Sequence, residues 1–313
     1  MLFVGAIARG ARKRSPTMHA EPLYYPRRGK KQPVGTLFVV ATPIGNREDI
    51  TLRALRVLRD VALIAAEDTR HTGQLLAHFG INARYLSLHE HNERERTEVI
   101  VSRLDAGDDV ALVSDAGTPL IADPGARVVT AVHAAGHRVV PVPGPSSLLA
   151  AVVASGLVPG PFTFFGFLPP KQGARRTALA SLRELPHPAV FFEAPHRIAA
   201  MIADALAVLG DRTCALCREL TKLHEEIVVT SLAGAVAGFV DRPPRGEYVV
   251  IIAEAPPSIE PAADEESIDT LLRALLESGL SPAAAAKAVA VKTGVERGAC
   301  YKRAIAVKQL MAT

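Results

Sequence analysis

The chain has 313 residues, 49% of them hydrophobic, enough to bury the cores of two or three domains. No apolar run reaches the roughly 20 residues that a membrane-spanning helix needs, so no membrane partner is expected. The net charge of +4 is uneven: residues 1–35 carry +7 and residues 281–313 carry +5, which leaves −8 on residues 36–280. Such basic ends are solvated tails or attach electrostatically to nucleic acid, whose phosphates bind Lys and Arg by releasing counterions.

Residues 1–34 show no sustained period and contain Arg12-Lys-Arg14 and Arg27-Arg-Gly-Lys-Lys31, which predicts a basic disordered extension. Its apolar start precedes its basic cluster, the reverse of a secretory signal, so a cytoplasmic protein is expected. Met18 offers a second possible start.

Residues 35–144 alternate strand and helix patterns, as one parallel α/β domain does. Thr36–Ala41 reads as the first strand, and Thr42-Pro-Ile-Gly-Asn46 as the turn after it. Asp49 is placed to cap the helix through Leu52, Leu55 and Leu58. Val61–Ala66 is a second strand, Glu67–Phe79 a helix closed by Gly80, and Arg84–Leu88 a third strand. A charged amphipathic helix, Glu93–Leu104, comes next. Then Asp109–Val113 reads as a buried strand that ends in Ser114-Asp-Ala-Gly-Thr-Pro-Leu-Ile-Ala-Asp-Pro-Gly125. This Gly-, Pro- and Asp-rich loop opens the helix Ala126–Ala135. In open α/β sheets, ligands bind at that edge. A third loop, Pro141-Val-Pro-Gly-Pro-Ser-Ser147, joins the strand Arg138–Val140 to a helix from Leu148, and Pro141–Pro145 is the expected hinge. One such loop is an ordinary βα turn, but three on successive units point to a site.

Residues 145–258 read as a second α/β domain, with strands near 162–167, 189–192, 214–218, 226–231 and 248–252. A cleft between two such domains is a common ligand site. Cys214 and Cys217 form C-x-x-C but read as core positions of a strand. A zinc site would want about four ligands and only Cys300 remains, so no metal is expected. The stretch 255–261 is a linker by composition, and residues 264–313 give two or three helices, a helix-turn-helix pattern or a small capping bundle. No G-x-G-x-x-G and no G-x-x-x-x-G-K-[ST] occurs.

The three loops together resemble the tetrapyrrole methylase superfamily. Ala65-Ala-Glu-Asp-Thr-Arg-His-Thr72, His89-Glu-His-Asn92, Ser114–Gly125, Phe164–Pro169, Phe192-Glu-Ala-Pro-His-Arg-Ile198 and Arg218-Glu-Leu-Thr-Lys222 follow in an order similar to the ribosomal RNA small subunit methyltransferase I family. That resemblance implies two α/β domains with a cofactor cleft between them, plus a small C-terminal helical domain. It implies S-adenosylmethionine as cofactor and the ribose 2′-oxygen of a cytidine in small-subunit (16S) ribosomal RNA as acceptor. It also implies RNA or the 30S subunit as partner, and a homodimer. The family pattern places Pro43, Ile44, Gly45, Asp115, Ala116, Gly117, Ile121, Ala122 and Ser146 against the cofactor, with Glu193, Ala194, Leu220 and Thr221 closing over it.

A ribose hydroxyl is a weak nucleophile and wants a nearby base or hydrogen-bond acceptor. Candidates lie at two adjacent strand ends: Glu67, Asp68 and Arg70, then His89, His91 and Asn92. The alternatives are helix capping for the acids and a solvent-facing loop for the histidines. His196 and Arg197 could bind phosphate, or cap a helix and pair with Glu219; Lys171, Arg175 and Arg176 look like further RNA-backbone contacts, with a solvated helix start as the alternative for Lys171 and Arg176. Spacing singles out no general base. A corrin-precursor methylase and a non-catalytic RNA-binding assembly factor are the rival readings.

Overall fold

In the computed structural model, residues 34–255 and 265–311 are described; residues 1–33 of the basic extension and the expected linker from residue 256 lie outside them. The first sheet runs through β1 (Thr36–Val40), β2 (Leu63–Ala66), β3 (Tyr85–Ser87), β4 (Val110–Val113) and β5 (Arg138–Val142) in the order β3-β2-β4-β1-β5. All four pairings are parallel. β2 and β4 are buried at every residue, because helices cover both sheet faces, and this is why they read as unbroken apolar runs. β5 extends through Pro141 to Val142, beyond the expected strand end; as an edge strand it tolerates a residue without an N–H.

The connecting helices take opposite faces. α1 (Leu52–Asp60) and α2 (Thr69–His78) pack Ala54, Leu58 and Leu76 on one face. α3 (Glu93–Asp105) and α4 (Ala126–Ala134) pack Ile100, Leu104, Val128 and Val132 on the other. The neighbours β1 and β4 therefore send their chains in opposite directions, and a crevice opens between their carboxyl ends. The cap of α1 is Thr51, whose hydroxyl accepts from the Ala54 amide at 3.0 Å. Asp49, expected there, sits instead in a short 3-10 turn over Arg47–Asp49, capped by Asn46.

The second sheet contains β6 (Thr163–Phe167), β7 (Ala189–Glu193), β8 (Thr213–Arg218), β9 (Glu226–Ser231) and β10 (Tyr248–Ile252) in the order β6-β7-β10-β8-β9. Only β6 and β7 run parallel. One face, with Val190, Cys217, Val249 and Ile251, packs against α5 (Ser147–Ser155) through Leu148 and Ala151. The other face packs against α6 (Gln172–Ala180), α7 (Ile198–Leu209) and α8 (Leu232–Asp241). Tyr248 pairs with Glu193 on one side and Arg218 on the other, so the ends of β7 and β8 meet the start of β10 at one edge.

The C-terminal region holds α9 (Glu265–Glu277), α10 (Pro282–Thr293) and α11 (Arg297–Leu310), packed around Leu272, Ala286, Val289, Cys300 and Ala304. Ser281 caps α10, and Gly294 ends it in a left-handed conformation (φ 70°), as their residue types favour.

Candidate functional site

A cavity of about 310 Å³ lies where the carboxyl ends of the first sheet face the shared edge of the second, a size within the range of small-molecule sites. The β4–α4 loop supplies Asp115, Ala116, Ile121, Ala122 and Asp123, and the β1 loop supplies Ile44. Glu193, Ala194, Glu219, Leu220, Lys222 and Glu247 close the other side. A larger recess, about 480 Å³, lies on the far face of the second sheet beneath α8 and receives none of the first sheet's loops.

The loops are stitched to one another. Thr42 and Gly117 exchange both backbone hydrogen bonds, at 2.9 and 3.0 Å. The Thr42 hydroxyl donates to the Ser114 carbonyl at 3.1 Å, and Thr118 donates to the Pro145 carbonyl at 3.1 Å. Across the cleft, the Asn46 amide donates to Thr221 Oγ1 at 3.1 Å. Among the described residues, the non-glycine residues with positive φ are Leu120 (73°), Ala122 (64°), Glu219 (49°) and Thr221 (66°). All four belong to the two loops that wall this cavity. Such strain costs on the order of 1–3 kcal/mol per residue and concentrates at functional sites.

Of the positions expected to contact a cofactor, Ile44, Asp115, Ala116, Ile121, Ala122, Glu193, Ala194 and Leu220 line the cavity. Pro43, Gly45, Gly117, Ser146 and Thr221 are not among its lining residues. Gly45 stands behind the wall, where an added Cβ would come 2.4 Å from Lys222 Cγ. Gly117 (φ 87°) forms the bridge to Thr42. Ser146 caps α5 through the Leu149 amide at 3.4 Å, and it is Ser147 that faces the cavity. Asp123, Phe167, Phe192, Lys222 and Glu247 were missed. Asp123 lay within the loop singled out from sequence. Lys222 and Glu247 meet only through strand pairing, which leaves no local signal.

The cavity has groups suited to an organic cation with polar ends. Glu193 is only 2% exposed; Oε1 accepts from the Ala194 amide at 2.9 Å and lies 3.2 Å from Arg197 Nε, while Oε2 is buried with no hydrogen-bond partner. A ligand donor would satisfy that oxygen. Arg197 thus pairs with Glu193, and Glu219 is held by Lys222 at 2.9 Å, so the Arg197–Glu219 pair, one of the two readings of Arg197, does not form. Arg175 and Arg176 also depart from expectation. They converge on buried Asp204 at 2.6 and 2.7 Å, so their charges hold α6 to α7.

Glu67, Asp68, Arg70, His89, His91 and Asn92 gather at the ends of β2 and β3, beside β4. Asp68 caps α2, accepting from the Arg70 amide at 2.8 Å and the His71 amide at 3.4 Å; these bonds hold its carboxyl below the usual range. The Asp68 amide donates to Asp115 Oδ1 at 2.9 Å, which ties this turn to the β4 loop. Arg70 projects into solvent, its guanidinium reaching both Asp68 carboxylate oxygens at 3.5 Å. Asn92 is committed to its own loop: Oδ1 accepts from the His89 amide at 2.9 Å and Nδ2 donates to the Ser87 carbonyl at 3.1 Å. The same Nδ2 lies 3.0 Å from His89 Nε2, and His89 Nδ1 is buried without a hydrogen-bond partner. His91 is exposed, its ring 6.0 Å from that of His89. Burial, reinforced by Asp115 and Glu90 and opposed by His89, raises the Glu67 carboxyl.

Cys214 and Cys217 are both buried, facing opposite sides of β8 in separate core clusters. They cannot share a ligand, and burial pushes both thiols up to about 11. Among the described residues, no helix is long and apolar enough to cross a membrane.

A parallel sheet with a cavity at its switch point, closed by a mixed sheet, is the architecture of a methylase family. Residues 36–236 match the family profile of Tetrapyrrole (Corrin/Porphyrin) Methylases, and residues 262–308 match that of the RsmI C-terminal HTH domain. The fold is similar to diphthine synthase (TM-score 0.57, 15% identity, covering 70% of this chain and 90% of that one). It is also similar to uroporphyrin-III C-methyltransferase from Thermus thermophilus complexed with S-adenosylhomocysteine (TM-score 0.51, 23% identity, covering 70% and 98%). The chain is a member of the tetrapyrrole methylase family.

Closer relatives narrow the assignment. A ribosomal RNA small subunit methyltransferase I of Pseudomonas aeruginosa is 49% identical over 277 residues, covering 87% of this chain and 97% of the relative. One of Xylella fastidiosa is 47% identical over 274 residues, covering 85% and 98%. Within the methylases, the chain belongs to the ribosomal RNA small subunit methyltransferase I family.

Proposed function

We propose that the chain methylates small-subunit ribosomal RNA with S-adenosylmethionine, at the ribose 2′-oxygen of a cytidine. The observation that carries the reading is the cavity: strained loops of two sheets converge on one pocket of donor size, with carboxylates around it and a basic helical region in the same chain. Ile44, Ala116, Ile121, Ala122, Ala194 and Leu220 supply small or apolar walls to hold the donor, and Asp115 and Glu193 supply acceptors for its amino and hydroxyl groups. When bound, the donor supplies a methyl group already activated by a positively charged sulfur. The protein's task is then alignment of the acceptor hydroxyl and removal of its proton.

In this reading residues 35–144 and 145–258 are the two lobes and residues 264–313 the RNA-binding tail. Lys287, Lys292, Arg297, Lys302 and Lys308 are exposed on α10 and α11, placed to meet phosphate. The enzyme works as a cytoplasmic homodimer; the exposed apolar residues Val228 and Val229 on edge strand β9 favour pairing with a second copy.

Labelled S-adenosylmethionine incubated with 30S subunits from a strain lacking this methylation tests the reading. Label in a cytidine ribose supports it. Label only in a tetrapyrrole supports a corrin-type methylase, and RNA retention without transfer supports an assembly factor. Deleting residues 264–313 is expected to weaken subunit binding at least tenfold and leave donor affinity within twofold. Equal loss of both assigns the tail to the structure of the lobes.

A further inference from the structure

The proposed reaction needs a group to receive the hydroxyl proton. We propose that Asp123 is this base: its carboxylate, on the β4–α4 loop, takes the proton of the attacking ribose hydroxyl. The inference rests on the cavity being the site where donor and ribose meet.

Five carboxylates line the cavity, and four are already engaged. Asp115 Oδ1 accepts from the Asp68 amide. Glu193 Oε1 is held by the Ala194 amide and Arg197. Glu219 Oε1 takes both Lys222 Nζ and the Glu247 amide, and Glu247 takes Lys222 Nζ at 3.0 Å. Among the described residues, Asp123 has neither an ion pair nor a backbone donor; the neighbouring Ser114 hydroxyl, which eases its carboxyl downward, donates to the Gly117 carbonyl at 3.2 Å. Its oxygens are therefore available to an incoming proton.

The loop also fixes where that carboxylate points. Ala122 before it is left-handed, and Pro124 after it restricts the chain further. Gly125 (φ 127°) lies so close to the core that an added Cβ would come 2.8 Å from Leu112. Glu93 Oε1 then accepts from the Gly125 and Arg127 amides, at 3.0 and 3.1 Å, and anchors the loop to α3. A catalytic group held this way needs little reorganisation during reaction.

The surroundings match the role. Glu67 and Asp115 face Asp123 from neighbouring loops, while Glu193, Glu219, Glu247 and the doubly engaged Lys222 stand across the cavity. Burial and then Glu67 push the Asp123 carboxyl up to about 6, eased by Ser114 and reinforced by Asp115. A base titrating there is ionised at neutral pH and still a stronger proton acceptor than an ordinary carboxylate. In the transfer, the ribose oxygen forms its bond to the methyl carbon as the carbon–sulfur bond of the donor breaks. That bond's electron pair stays on sulfur, and the hydroxyl proton passes to Asp123, which later releases it to water.

The test combines rate, affinity and direct titration. Asp123→Asn is expected to lower kcat by about 10²–10⁴-fold with donor affinity, by calorimetry, within twofold. Asp123→Glu should recover part of the rate. Carbon-13 NMR of the free protein should show one carboxyl titrating near pH 6 that Asp123→Asn removes and Glu67→Gln moves lower. The acid limb of kcat/KM should follow the same pattern. A kcat within threefold of wild type in Asp123→Asn overturns the proposal, as does a loss of donor affinity equal to the loss of rate. An acid limb that survives in Asp123→Asn and vanishes in Glu67→Gln makes Glu67 the base instead. Wild-type protein that binds donor but methylates no small-subunit RNA sinks the functional reading, and this inference with it.

Discussion

The wall built by the second sheet ties its carboxylates to partners: Glu193 to Arg197, and Glu219 and Glu247 to a single lysine, Lys222. On the opposite wall, Asp115 and Asp123, with Glu67 behind them, crowd together without an ion pair among the described residues. Burial of uncompensated like charge costs free energy, and folds keep such arrangements mainly where chemistry needs them. The difference assigns labour. The paired wall holds its shape and closes over a ligand, whereas the unpaired wall holds electrostatic strain that an incoming cation or a proton relieves.

The strongest way to break this contrast is Asp115→Ala. It removes an acceptor from the cavity and leaves the Asp68 amide without its partner at 2.9 Å. Two such losses predict donor binding about 100-fold weaker by calorimetry, since hydrogen bonds to charged groups contribute about 1.5–3 kcal/mol each. Affinity within threefold of wild type would place the donor elsewhere. Against the paired wall, Gly45→Val on the β1 loop drives a side chain into Lys222, whose Cγ would lie 2.4 Å from the new Cβ, and displaces that lysine from Glu219 and Glu247. About tenfold weaker donor binding is expected, on the scale of one lost charged hydrogen bond. Gly173→Ala, with nothing within 4 Å of its added Cβ, should leave binding unchanged.

Much of the first wall was legible because it is local in sequence. The stretch 114–125 carries its strand, turn and helix signals within a dozen residues, and β2 and β4 announce burial by composition. The helix cap at Thr51 was misplaced onto Asp49 because both are good caps two residues apart, and only backbone geometry separates them. The second wall was less legible. Lys222 reaches Glu247 across 25 residues of sequence, brought there by the pairing of β8 with β10. Arg175 and Arg176 looked like a phosphate contact, since sequence does not show that Asp204 on the next helix neutralises both. Asp123 was visible but unranked, for its distinction is the partners it lacks.

A smaller effect sharpens the contrast through stability. The Asp123 carboxyl titrates near 6 in the fold against an ordinary value of 3.8, so folding favours its protonated form. The stability this group contributes is full below pH 3.8 and is lost as pH rises through about 6. Asn cannot ionise and so avoids that loss. Asp123→Asn should therefore be more stable than wild type at pH 8, by about 1 kcal/mol once solvent screening of a partly exposed group is allowed for. The gain should shrink between pH 6 and pH 4 and vanish below it. Urea unfolding at pH 4 and pH 8 measures it, and the paired wall gives the control. Lys222 holds the Glu219 carboxyl below its ordinary value, so Glu219→Gln should cost stability at pH 8 and cost less as the pH falls. A loss of stability in Asp123→Asn at pH 8 would mean that its charge is compensated in the fold, and the two walls would then differ in geometry alone.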